Sequence, residues 1–269
     1  MSNVRRRNSV QPATARHSPH MKSLFVLLTF LLLGSQVLAQ QRLPVQADPA
    51  FTERLTEFER ANDLGSLFRA ANEAGTREQL KSALDWMQRR AVGPSRDPRF
   101  LLSYAALLYR AQIREMSAAS YLFGILLARV EAARCADSSA YEPKLRQIEA
   151  EMRPVEEMYW KFAPEQRHDF LAYALQSERQ RPSGSPIAWL CSGGNRDTIE
   201  ALREGSARVI PAPNETASRV TVIDSSAVSP SFLPDEQSAP ARRAAIANFQ
   251  STYGGQSPST LPGTGSKQP

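Results

Sequence analysis

Histidine and cysteine are scarce in this chain. Its 269 residues hold three His and two Cys. His17 and His20 fall in a leader, which leaves His168 alone. One His and two Cys are too few ligands for a zinc site of the usual nitrogen and sulfur kind. We therefore expect no metal and no cofactor. Acid is absent from residues 1–39, which carry Arg5, Arg6, Arg7, Arg16 and Lys22. Without those five the balance is 28 basic to 27 acidic residues, so the formal charge of +6 belongs to the leader. That removes the basic surface on which a nucleic-acid reading would rest, and no nucleic-acid partner is expected. Beyond the leader, no apolar run approaches the length of about 20 residues that spans a membrane. Strand alternation is missing between the leader and residue 205, and an α/β fold would need it. No C-x-x-C, no G-x-S-x-G and no phosphate loop occurs.

What is present begins with an export signal. Met21-Lys22-Ser23 precedes Leu24 to Leu33, an apolar run broken only by Thr29. Gly34, Ser35 and Gln36 lead to Val37-Leu38-Ala39 and then Gln40-Gln41. A basic start, a short apolar stretch and a V-x-A site make a cleavable signal peptide, with the cut between Ala39 and Gln40. Met21 makes a signal start by itself, so translation is expected to begin there. The run is too short for a retained anchor. The skew toward Arg, 28 of 33 basic residues, is that of a GC-rich bacterial coding sequence. The expected compartment is the periplasm, with full secretion as the alternative.

Residues 40–47 read as a linker and 48–204 as an all-α domain. Asp48-Pro49 and Asp97-Pro98 are helix starts, an N-cap followed by Pro at the first helical position. Thr76 to Gln79 reads as a capping box. Phe51, Leu55 and Phe58 recur at helical spacing, as do Leu80, Leu84, Met87 and Ala91. Phe100 to Ala111 and Tyr121 to Val130, the second capped by Ser117, are apolar nearly all round. Helices without a polar face are surrounded by other helices, so these two form the expected centre of the core. Pro154 is expected to separate a helix over 144–152 from one over 155–162. A stripe at Phe170, Leu171, Ala174 and Leu175 follows, then a short apolar docking segment, Ile187 to Cys191, and a last turn or two over 198–203. The final 65 residues, 205–269, hold eight Pro, five Gly and eleven Ser. This composition predicts a disordered tail, with one strand-like run at Arg219–Ile223 and a transient helix at Ala241–Gln250.

Two lone Cys in one exported domain are expected to pair. A Cys135–Cys191 bridge closes a 56-residue separation, worth about 4 kcal/mol in the chain-entropy account. A redox role would need a neighbouring attacking thiol, and none is present. His168 opens a helix at Pro164. Its neighbour Asp169 does not share its face, so the pair makes a poor base and orienter. Glu149, Glu151, Glu156 and Glu157 cluster by sequence, but they alternate with Lys144, Arg146 and Arg153 in the manner of a solvated helix face. Trp86, Tyr104, Tyr109, Tyr121 and Trp160 sit at helical spacings and read as core. No catalytic residue is expected.

Residues 83–111, from Ala83-Leu84-Asp85-Trp86 to Leu107-Leu108-Tyr109, resemble one unit of the Sel1-like and tetratricopeptide helical repeats. Ala83, Trp86, Ala91, Gly93 and Tyr109 fit the pattern. Tyr104-Ala105 stands where the family often has Leu-Gly, and no second copy follows. The resemblance implies paired antiparallel helices that present a concave face to a protein or peptide partner. The expected function is therefore an exported binding or scaffold module. The alternatives are a peptidoglycan hydrolase using paired carboxylates and an immunity-type inhibitor of a toxin enzyme. Sequencing the exported protein from its N-terminus should give Gln40 first; a mature chain that keeps Leu24 to Leu33 would overturn the export argument.

Overall fold

Aspartate side chains start four of the helices. The computed structural model describes residues 45–93, 97–181, 184, 186–205, 207–210, 220–223 and 230–255. The expected signal peptide and its expected cleavage between Ala39 and Gln40 lie outside these. The chain forms α1 (Pro49–Arg60), α2 (Leu64–Asn72), α3 (Arg77–Ala91), α4 (Pro98–Arg110), α5 (Arg114–Ala132), α6 (Ser138–Trp160), α7 (Pro164–Gln180), α8 (Ala188–Cys191) and α9 (Asn195–Arg203). Two four-residue strands and a last helix, α10 (Asp235–Gly254), follow. The class is all-α, as the sequence predicts. Asp48 accepts from the Phe51 amide at 3.0 Å, Asp63 from Ser66 at 3.0 Å, Asp97 from Arg99 at 2.9 Å and Asp137 from Ser139 at 2.9 Å. Each satisfies one of the open amides of a first turn. Thr76 accepts from the Gln79 amide, but the Gln79 side chain reaches the Gly75 amide rather than that of Thr76.

The core lies along α5. Tyr121, Leu122, Leu126, Leu127 and Val130 of this helix are fully buried, and α4, α6, α7 and α10 all pack on it. The chain turns back from α4 into α5 through three residues, with Gln112 in the left-handed region at φ 60°. Gly124 lets the two helices close: a Cβ there would come within 2.8 Å of the Leu102 side chain. Ser117 is no cap. It lies inside the first turn of α5, fully buried, and its hydroxyl donates to the Ala105 carbonyl at 2.8 Å. That bond ties the pair together where an unmet hydroxyl would be costly.

Pro154 does not end a helix. Residues 138–160 form one helix with Pro143 and Pro154 inside it. A Pro at such a site costs roughly 3 kcal/mol in lost bonding and crowding. Met152, Val155, Met158 and Tyr159 are buried on both sides of it, and that continuous stripe outweighs the local cost. Pro154 and Ala150, whose carbonyl loses its partner, are both exposed.

The expected bridge is present. Cys135 and Cys191 are joined, with Cα atoms 5.0 Å apart. It holds α8 with Leu190 fully buried, while Tyr141, Ile187 and Trp189 pack around the pair. The Lys144 ammonium donates to the carbonyls of Trp189 and Ser192, closing the C-terminal end of α8; burial lowers its pKa. Asp137 serves two helices. Besides Ser139 in α6, its carboxylate accepts from the Arg196 amide at 2.8 Å in α9, which begins three residues earlier than expected. These bonds, the Ser139 hydroxyl first, hold Asp137 below the usual carboxylate range. Gly194 must be Gly, because a Cβ would run into that carboxylate.

The tail beyond Gly205 is not featureless, and the domain does not stop at residue 204. Ala207–Ile210 (β1) pairs antiparallel with Val220–Ile223 (β2), Ala207 opposite Ile223. The strand-like run therefore has a partner, the four residues 207–210, which composition alone assigns to disorder. Ser231 and Leu233 bond to the backbone on either side of Cys135, through Ala136 N at 3.0 Å and Arg134 O at 2.8 Å. They lead directly into α10, where Phe249 and Tyr253 are buried. Two aromatics at helical spacing suffice to seat a segment whose average composition is poor in apolar residues. Residues 256–269 lie outside the described residues.

Reduction should lower the melting temperature and release amide protection over 187–203 before the α4–α5 pair. Cys135→Ser and Cys191→Ser should each reproduce this, and the double change should add little, since both remove one bond. Unchanged melting on reduction would refute the role of the bridge.

Candidate functional site

Ser238, Arg242, Ala245, Phe249 and Tyr253 recur three or four residues apart and, with Ile246, lie on one side of α10. That side meets α5, α6 and α7. Phe249 is fully buried and Tyr253 is 3% exposed. The opposite side, including Ala244, Ala247 and Ser251, is exposed. The arrangement is a helix seated by one side in a groove.

The groove floor is aromatic and polar together. The Tyr253 ring stacks on Trp160, 5.8 Å between centroids and 10° between planes. It meets Tyr159 edge-on at 5.8 Å and Phe249 at 4.7 Å. Its hydroxyl lies 3.0 Å from that of Tyr121 and donates to Glu156 Oε1 at 3.3 Å. A phenol has one proton, so Tyr121 is the donor in its pair with Tyr253. The Tyr159 hydroxyl donates to the Tyr253 carbonyl at 3.0 Å, meeting an open carbonyl of the last turn. Burial raises the pKa of Tyr121 and of Tyr253, and it pushes Tyr159 up to about 12. Near neutral pH all three are uncharged donors. At the other end, Arg242 pairs with the buried Glu178 of α7 at 2.7 Å.

The candidates read from the sequence are dispersed. His168 stands exposed as the fifth residue of α7, with Glu165 and Asp169 also exposed. Glu149 pairs with Arg129 at 2.8 Å, and Glu151 accepts from Gln147 at 2.8 Å. Glu156 receives Tyr253, and Glu157 is exposed. Glu149, Glu151 and Glu156 thus face different partners. Trp86, Tyr104 and Tyr121 are core, while Trp160 and Tyr109 are half-buried. Among the described residues no group of three His, Cys, Asp or Glu is placed to hold a metal ion, and no helix is long and apolar enough to cross a membrane. Sequence reasoning does not single out Phe249, Tyr253, Arg242 or Glu178. Their spacing is the available signal, diluted by the Pro and Ser around it.

No family model matches this chain, and neither a curated protein nor a solved structure does.

The tyrosines make the seat of α10 sensitive to alkali. Their folded pKa values lie above the ordinary value of about 10, so the folded state holds protons that the unfolded chain releases. Their contribution is complete below about pH 10 and is lost as pH rises through the raised values. Above about pH 10, α10 should lose amide protection together with the appearance of tyrosinate absorbance. Tyrosinate appearing at the ordinary pKa with α10 still protected would contradict this.

Proposed function

We propose that this protein is an exported helical module that holds a protein partner, and that it works by binding rather than by catalysis. The observation that carries this reading is the groove of α5, α6 and α7. It seats one helix of the chain itself, α10, and that fit supports the reading that it takes helices of this kind. Aromatic anchors with a polar handle are the residues that dominate protein recognition. The resemblance of residues 83–111 to a Sel1-like or tetratricopeptide unit agrees with it. α3 and α4 pack against each other, with Ala83, Trp86, Ala91 and Ala105 buried, which is how such repeats bury small residues between helices. The disulfide and the signal peptide read from residues 21–39 favour the periplasm.

Purified mature protein should give no clearing zone in a peptidoglycan zymogram. Used as bait in periplasmic extract, it should retain a protein at about one-to-one yield. A clearing zone that Glu149→Gln or Glu156→Gln abolishes would overturn the proposal in favour of a hydrolase. If the retained protein proves to be a toxin-like enzyme that loses activity when bound, the module is an inhibitor.

A further inference from the structure

We infer that α10 occupies the partner's place, and that the partner presents a helix with a basic residue, an aromatic residue two turns on and a Tyr one turn after that. This rests on the reading of the protein as a binding module and names its ligand. Arg242, Phe249 and Tyr253 are separated by seven and four residues. Two turns and one turn of helix bring all three to one side. Each meets a different feature of the groove: Arg242 the buried Glu178 carboxylate, Phe249 the apolar floor, and Tyr253 the Trp160 ring and the Glu156 carboxylate. The last position discriminates. Glu156 and Tyr121 both address the Tyr253 hydroxyl, and a Phe there would leave both without that partner. Buried polar groups reject a ligand that cannot complete them.

α10 is held at few points. Of its 20 residues, only Ser238, Phe249 and Tyr253 are buried. At the Arg242 end the fit is incomplete. Glu178 Oε2 and Arg242 Nε are buried without a hydrogen-bond partner among the described residues. Beside α10 the groove stays open along α7, lined by Leu171, Leu175, Arg179 and Gln250. A second helix can begin to engage there before the first departs. A tethered helix competes at an effective concentration in the millimolar range, so the partner must bind well to displace it.

The test uses the full mature chain and a labelled peptide of residues 235–255 as the stand-in for the partner helix. Two variants loosen the tethered copy: Tyr253→Phe, which removes only the hydroxyl, and Phe249→Ala with Tyr253→Ala, which removes both anchors. The peptide should bind wild type weakly. It should bind the Tyr253→Phe chain about tenfold tighter, the effect of one hydrogen bond to a charged group, and the double variant tighter still. A peptide carrying Tyr253→Phe should bind the double variant about tenfold more weakly than the natural one. Equal binding of the two peptides, or none to a double variant that keeps its helical circular dichroism, overturns the inference. So does loss of that signal in both variants, since α10 would then be core. A dimer of the wild type that the double variant loses would instead assign the groove to a second copy. If the peptide fails while a periplasmic protein is still retained by wild type, the binding reading stands and its surface lies elsewhere.

Discussion

A helix that is apolar on every side has to be enclosed on every side. That constraint, imposed by the Tyr121–Val130 stretch of α5, organises the rest of the molecule. α4 covers one flank closely because Gly124 adds no side chain at the contact. α6 and α7 cover the others. The remaining opening runs past Tyr121, whose hydroxyl needs a partner and whose ring needs apolar cover. α10 supplies both. The enclosing set is therefore completed from the far end of the chain, by a segment whose own composition is poor in apolar residues.

The same constraint dictates what a covering helix must bring. An uncovered α5 would expose a floor of tyrosine and tryptophan to water. Whatever fills the opening must bring aromatic surface and at least one hydroxyl. The polar handles set the order of residues, and the rings supply the area. Cover and hydrogen bonding are divided between different atoms of the same side chains.

Much of this is legible in the sequence, for local reasons. The Asp-Pro starts at residues 48 and 97 act within one turn, and so does the Thr76 cap. The two all-apolar helices announce their own burial. Cys135 and Cys191 have no other mate. The misreadings come from long-range contacts. Pro154 looks like a break until the buried residues on both sides of it are seen. Ser117 looks like a cap until Ala105 is found opposite. Composition averaged over 205–269 hides two things: the strand partner at 207–210, and a helix held by two aromatics and one ion pair. The hydroxyl chain from Tyr121 through Tyr253 to Glu156 joins three helices distant in sequence, and no spacing rule relates them.

Asp137 and the disulfide lie close together, and their joint effect differs from that of either. Cys135, Ala136 and Asp137 form one arm. Cys191 to Arg196 forms the other. The arms are fastened at one end by sulfur and at the other by the Arg196 amide on the Asp137 carboxylate. They make a closed ring with backbone on both sides, and Gly194 is pressed against the carboxylate within it. A ring of that size has a fixed perimeter. A residue inserted into either arm would break the sulfur fastening or the carboxylate one, so this stretch of chain tolerates changes of letter far better than changes of length.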